Sequence, residues 1–185
     1  MKRMGVPAIM VVLLASLSPG TGPRTASGQD TWKAADGSRA PETSARRSEK
    51  GFGGWVLVTS DRDWRKKWET PSGSVPRFNE IAVVPRGQHI SVLTFYSNPQ
   101  LSNGRVDVTC DIDMTRPNGT SVHLPDAECY QGPIKEDPRH VFMSKQVIDF
   151  VGEPTDPAGR WVVRVTLHDN VRHVTLPLMT SWVLR

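Results

Sequence analysis

The chain has 185 residues, 37% of them hydrophobic and 23% charged, with a formal net charge of +4 at neutral pH. Lys2, Arg3 and Arg24 supply three of the 23 basic residues from an N-terminal stretch that reads as removable; no acidic residue lies there, so against 19 acidic groups the remainder carries a net charge near +1. So balanced a chain has no electrostatic footprint for a polyanion, which excludes a basic nucleic-acid-binding module.

The N-terminus reads as an address. Lys2 and Arg3 form a positive n-region, and Val6 to Leu17 is an apolar run interrupted only by Pro7 and Ser16. The run is shorter than the roughly 20 apolar residues of a permanent span. Ala26-Ser27-Gly28 then offers the small residues of a cleavage site, so residues 1–28 are expected to be a signal peptide and the protein to be exported, to the periplasm or outside the cell. No later segment is long and apolar enough to be transmembrane. Residues 29–50 are rich in Ala, Ser, Gly, Asp, Arg and Lys, with Trp32 their only large apolar side chain. Such a composition cannot offset its ordering entropy and is expected to be a flexible linker. Residues 51–185 remain, about 135 residues, enough for one domain with one core.

Within that domain, strands alternate with punctuated turns. Trp55 to Thr59 is the first. Ser60-Asp61-Arg62-Asp63 resembles a capping box, and Trp64 and Trp68 then share one face of a short helical turn at i, i+4. Two readings stand: a surface aromatic patch with Arg65, Lys66 and Lys67 for a ligand or membrane surface, or a short helix docking both indoles onto the sheet. Residues 78–84 and 88–97 are strands either side of Pro85-Arg86-Gly87. From 105 to 114 the alternation is unbroken, with Val106, Val108, Cys110, Ile112 and Met114 on one face and Arg105, Asp107, Thr109, Asp111 and Asp113 on the other. Pro117-Asn118-Gly119 turns the chain into a short strand at 120–124, and 141–150 is a further, less regular one. Many short strands with almost no helical periodicity predict an all-β antiparallel sandwich of about 7–8 strands.

Cys110 and Cys129 are the only cysteines. In an exported protein an even count predicts a disulfide, and closing a loop of about 20 residues contributes roughly 3 kcal/mol.

The last thirty residues form the clearest element. Trp161, Val163, Val165 and Leu167 alternate up one strand, and Val174, Leu176, Leu178, Trp182 and Leu184 down the next. A two-residue turn at Asn170-Val171 pairs Leu167 with Val174, sets His168 opposite His173 on the outer face, and leaves Pro177 opposite Arg164, where a bulge or an edge position must excuse its missing N–H. The lead-in, Asp156-Pro157-Ala158-Gly159-Arg160-Trp161-Val162-Val163, resembles the D-x-x-G-x-[YW]-x-[VI] corner of immunoglobulin-like and macroglobulin-like sandwich domains. The resemblance implies an immunoglobulin-like β-sandwich over residues 51–185 with a structural corner at Asp156, Gly159 and Trp161. Trp161 stands where tyrosine is usual and lacks the phenol hydroxyl that bonds the backbone there.

Chemistry is sparse. Facing each other across the hairpin, His168 and His173 would place two imidazoles for a Cu or Zn ion, with Asp169 as a third ligand. The plain alternative is two solvated histidines with Asp169 paired to Arg172. Asp107 and Asp111 sit about 13 Å apart along one strand, too far for one ion to bridge. No G-x-S-x-G, H-E-x-x-H, C-x-x-C or P-loop occurs. The expected role is therefore non-catalytic binding or accessory work, with an envelope or extracellular protein or polysaccharide as partner; metal binding through the histidines is the first alternative, and a hydrolase of unrecognised type the second.

Overall fold

The period-2 pattern of the last strands commits one sheet face to burial, and the chain meets that demand by laying a second sheet over it. A computed structural model describes residues 32–33, 38, 40–70 and 75–185; the expected signal peptide lies outside the described residues. In chain order the elements are β1 (Arg46–Glu49), β2 (Phe52–Thr59), α1 (Trp64–Glu69), β3 (Val83–Val84), β4 (His89–Ser97), β5 (Arg105–Thr115), β6 (Ser121–Pro133), β7 (Val141–Val151), β8 (Gly159–Asp169) and β9 (Val174–Leu184). One sheet has the order β1-β2-β4-β7 and the other β3-β9-β8-β5-β6. All neighbours are antiparallel except β3 on β9. This is the expected all-β, immunoglobulin-like sandwich topology with one short helix. The nine strands exceed the expected number because β1 lies in the stretch read as a linker, while β3 is the two-residue remnant of the strand expected over 78–84.

β1 lies inside the stretch read as a linker. Its four residues pair with β2, and Ser44 just before it accepts a 2.7 Å bond from the Met179 amide. Trp32 and Ala40 are buried as well, and the Trp32 indole donates to the Arg47 carbonyl at 3.1 Å. Hydrogen bonding to an open sheet edge, together with the burial of Trp32 and Ala40, holds the described part of this segment.

The two faces of the four-stranded sheet explain its composition. Phe52, Val56, Val58, Ile90, Val92 and Tyr96 face the other sheet. Leu57, Leu93 and Phe95 face away, into a second cluster with Trp32, Ala40 and Trp64. Phe95 is its centre, with ring centroids of Trp55 and Trp68 at 5.2 Å and Phe78 at 5.7 Å. A strand covered on both faces reads as a continuous apolar run, as β4 does. The surface-patch reading of Trp64 and Trp68 is corrected here: Trp64 is buried and Trp68 packs on Phe95, because the sheet's outer face needs a cover. The capping box does not form either. Asp63 is the N-cap without a side-chain cap bond, while Asp61 accepts from the Asn79 amide at 2.8 Å and pairs with Lys67 at 2.7 Å.

The final hairpin keeps the expected facing but not the expected register. Leu167 pairs with Leu176, Val165 with Leu178 and Trp161 with Trp182, and Pro177 lies opposite Thr166. The turn is longer, Asn170 to His173, with His173 at φ 56°. A two-residue shift preserves which face is buried, so parity reasoning cannot see it. Pro177 is excused by the edge, not by a bulge. The amides of Met179 and Val183 point away from β8, to Ser44 and Ala82, and Pro177 shares their parity, so its nitrogen turns outward too.

Trp161 is 1% exposed. Its indole N–H donates to the Pro157 carbonyl at 3.2 Å, which supplies the corner bond that a tyrosine hydroxyl would make. The ring stacks on Trp182 at 6.1 Å and meets Phe150 at 4.9 Å. The Asp156 carboxylate accepts from the Glu153 amide at 2.9 Å, and Gly159 sits at φ +122° against Pro117.

Cys110 and Cys129 are disulfide-bonded, with Cα atoms 5.8 Å apart, and both are fully buried. Converting both to alanine should lower stability by about 3 kcal/mol, the loop-closure value; urea unfolding of oxidised wild type against the double variant checks it. A second prediction concerns Gly54. A Cβ there would stand 2.9 Å from the side chains of Leu167, Leu176 and Leu178 at once. Gly54→Ala should therefore destabilise by about 1–3 kcal/mol, outweighing the smaller entropic gain of losing a glycine; an unchanged urea midpoint would show that the sheets can part at no cost.

Candidate functional site

β6 and β7 are the outer strands of their sheets on the same side of the sandwich, so a seam runs between them. Both strands are irregular there. In β7 the three residues Ser144, Lys145 and Gln146 stand opposite the single Thr94 of β4. This bulge reaches across to β6: Ser144 Oγ contacts Cys129 Sγ at 3.0 Å, Gln146 Nε2 donates to the Glu128 carbonyl at 3.0 Å, and Lys145 pairs with Glu128. The middle of the seam is thereby closed. On one side of the closure Val122 and Leu124 stay nearly half exposed, although their β5 partners Met114 and Ile112 face the core.

On the other side lies a cleft of about 350 Å³, lined by Trp68, Tyr96, Tyr130, Ile134, Glu136, His140, Val141, Phe142 and Met143. Its size falls in the lower part of the range of ligand sites, about 300–1,000 Å³. Tyr96 on β4 and Phe142 on β7 stack with centroids 5.5 Å apart and planes at 20°. Tyr130 on β6 is committed elsewhere: its hydroxyl donates to the Pro133 carbonyl at 2.7 Å, and the Lys145 ammonium lies 5.3 Å from its ring centroid. The loop joining β6 to β7 is pinned by Ser97 Oγ donating to the Arg139 carbonyl at 3.0 Å and the Asn98 amide donating to the Pro138 carbonyl at 2.7 Å.

The Tyr96 side chain is fully buried, and among the described residues nothing pairs with its hydroxyl. Burial, and after it the neighbouring Tyr130 phenol, pushes the Tyr96 hydroxyl well above the usual phenol range. It is a neutral donor at any biological pH. A buried donor left without a partner costs about 1–3 kcal/mol, and among the described residues lining the cleft Tyr96 carries the buried side-chain polar atom that has none.

The histidine site read from the hairpin does not assemble. His168 pairs with Thr175, not His173. Its imidazole contacts Asp111 Oδ2 at 3.0 Å and Thr175 Oγ1 at 3.2 Å, while His173 sits exposed in the turn. Asp169 is 1% exposed; its carboxylate accepts from the Gln100 and Arg172 amides at 2.8 and 2.9 Å and lies 3.4 Å from Arg172 Nε. The pairing of Asp169 with Arg172 is thus the one that forms. Arg172 also donates to the carbonyls of Lys50 and Asn98, so it staples loops. Among the described residues no group of three or more His, Cys, Asp or Glu side chains could hold a metal ion.

One Ser/Asp/His constellation went unread in the sequence. Ser91 Oγ lies 2.6 Å from Asp149 Oδ1, and His89 Nε2 approaches the same carboxylate oxygen at 3.4 Å. The order of contacts is serine to carboxylate to imidazole, so the contact made is not the serine–imidazole contact of a nucleophile and its base.

No family model and no curated protein matches the chain. Among solved structures it is similar to part of a family 123 glycoside hydrolase from Clostridium perfringens, at 8% identity and TM-score 0.40, over 71% of this chain and 27% of that one. An alkylpurine DNA glycosylase of Pseudomonas fluorescens, bound to DNA containing an abasic site analog, matches at 16% identity and TM-score 0.35 over 56% and 28%. A Niemann-Pick type C2 protein from the Japanese carpenter ant matches at 10% identity and TM-score 0.37 over 70% and 89%. The chain spans little more than a quarter of the length of the first two. No residue role passes from any of them to this chain.

The solvated sheet face yields a pH prediction. The Asp126 amide at 2.8 Å, and after it His168, holds the Asp111 carboxyl below the usual carboxylate range. A depressed carboxyl stabilises the fold above its unfolded value, and that contribution is lost as pH falls through the folded value. Asp111→Asn should therefore be less stable than wild type at pH 7, with the gap narrowing by pH 3; urea midpoints at the two pH values check the sign.

Proposed function

We propose that the protein is an exported, non-catalytic binding or accessory sandwich whose ligand-receiving site is the cleft between β6 and β7. The carrying observation is the cleft itself, about 350 Å³, lined mainly by aromatic and apolar side chains with Glu136 and His140 among them. A mostly apolar concavity with few convergent polar groups is the common form of a recognition site. Export is supported by the N-terminal sequence pattern and by the buried disulfide, which persists in oxidising compartments. Among the described residues no helix is long and apolar enough to cross a membrane. The partner is an envelope or extracellular molecule that offers an apolar group to the cleft.

Two measurements test this reading. The secreted chain should begin near Gln29 when its N-terminus is sequenced. In a nuclear magnetic resonance screen of small aromatic fragments, shifts should concentrate on Ile134, Val141, Phe142 and Met143, and Ile134→Trp, which fills the cleft, should abolish them while leaving the spectrum folded. Fragment shifts scattered over other surfaces, or none at all, would remove the cleft as the site.

A further inference from the structure

We propose that the ligand class of the cleft is a small quaternary ammonium compound, whose trimethylammonium group lies against aromatic rings with the Glu136 carboxylate as its counter-charge. The proposal rests on the cleft being a binding site and adds what it selects.

Four observations set the class. Accessible aromatic surface comes first. Trp68 on α1, Tyr130 on β6 and Phe142 on β7 all line the cleft, and each is only half-buried. Phe142 stacks on the buried Tyr96 and Trp68 packs on the buried Phe95, and the ring surface they have left lines the opening. Aromatic faces attract a cation within about 6 Å of the ring centroid. Tyr130 already does so, with the Lys145 ammonium 5.3 Å from its centroid.

The second is charge. Glu136 lines the cleft and is exposed; its carboxylate accepts from the Lys135 amide at 3.2 Å, and among the described residues no cation pairs with it. The neighbouring cations are spent: Lys145 on Glu128, Arg139 on Asp137 and Lys67 on Asp61. An anion would meet a carboxylate and the negative faces of the rings, and a neutral ligand would leave both unused.

The third observation separates a quaternary from a primary ammonium. A primary ammonium is strongly hydrated and has three donors to satisfy. Ile134, Val141 and Met143 are apolar, so the cleft's side chains offer those donors little beyond Glu136 and the exposed His140. N-methyl groups need no acceptor and pack as apolar surface on the rings and on the Met143 thioether. Size is the fourth. A dry cavity of about 150 Å³ holds benzene, and a trimethylammonium group has about that bulk, so a cleft of about 350 Å³ admits the group with the short chain that carries it.

Choline, its neutral carbon isostere 3,3-dimethylbutan-1-ol and the primary amine ethanolamine separate these claims. Nuclear magnetic resonance titration of the disulfide-bonded chain should give choline a Kd about tenfold below that of the isostere, within reach of a cation desolvated on aromatic faces, with ethanolamine weaker than choline. Shifts should centre on the Trp68 indole, the Phe142 ring and the Met143 methyl. Glu136→Gln keeps the shape of an exposed side chain; it should weaken choline several-fold and leave the isostere unchanged. Equal binding of choline and isostere, indifferent to Glu136→Gln, would overturn the cation class and leave the cleft as an apolar site. Ethanolamine binding as tightly as choline would reduce the site to a plain ion pair and overturn the role of the rings. Choline failing to move these resonances while aromatic fragments still move them would overturn the ligand class alone; failure of both would overturn the binding reading as well.

Discussion

Cys129 and Tyr130 are neighbours in sequence and both face the interior, which an unbroken strand cannot arrange. β6 meets this demand with two bulges. The first falls at Pro125 and Asp126, opposite Asp111, with Asp126 at φ 48°; the second makes Cys129 the extra residue between the pairs Val108–Tyr130 and Thr109–Glu128. The first changes the facing of the strand and the second changes it back. Between them Ala127 pairs with Cys110, Cys129 comes inward to make the disulfide, and Tyr130 follows it inward at the mouth of the cleft. Disulfide, bulges and cleft are therefore one arrangement. The covalent bond holds β6 to β5 where the ladder is most broken, and the Asp111 carboxylate, bonded to the Asp126 amide, secures the other irregularity.

The bulge of β7 answers those of β6. An outer strand is a free row of donors and acceptors, and two side by side invite pairing with another chain. Here each is interrupted, and the interruptions touch: Ser144 to Cys129, Lys145 and Gln146 to Glu128. The contact joins the two sheets at one point and leaves apertures on both sides. The cleft is one aperture, floored by residues of both sheets. The other exposes Val122 and Leu124. Elsewhere the sandwich is closed by means the chain supplies twice over, since β1 and the residues before it cover one side, and α1 with Phe78 covers the outer face of the four-stranded sheet.

How much of this was legible follows from periodicity. β5, β8 and β9 alternate without a break, and their buried faces were read to the residue. The final hairpin's register was off by two, because a shift of two conserves facing and only the turn length tells them apart; a β-branched Val171 fits the positive φ of a two-residue turn poorly, and the four-residue turn puts the positive φ at His173 instead. The histidine pair fell with that register. β4 was read as a strand but not as one buried on both faces. β6 was read only to residue 124, where its first bulge begins and the pattern of alternation ends. Tyr96, Tyr130 and Phe142 come from three different strands, two of them bulged, and no local spacing links them. A cleft built from tertiary juxtaposition leaves no motif.

The same comparison separates what holds the fold from what remains unsettled within it. Trp161 looked like a residue that had lost its corner hydrogen bond, and it has instead made the bond with its indole nitrogen. Asp169, read as a ligand, is a buried carboxylate satisfied by two amides and an arginine. In both, a polar group taken into the interior has been given partners, as the cost of leaving it bare demands. Trp182 Nε1 has none, but it lies among Phe150, Trp161 and the core of the sandwich, where the large apolar area of the ring offsets one weak orphan. The Tyr96 hydroxyl is an orphan of the same kind. Phenylalanine would fill the same space without the penalty, and the rings packed against it, Phe52 and Phe142, are phenylalanines. The hydroxyl is therefore a cost to folding of about 1–3 kcal/mol, the cost of a buried donor left without a partner, set against the stacking area that the ring contributes.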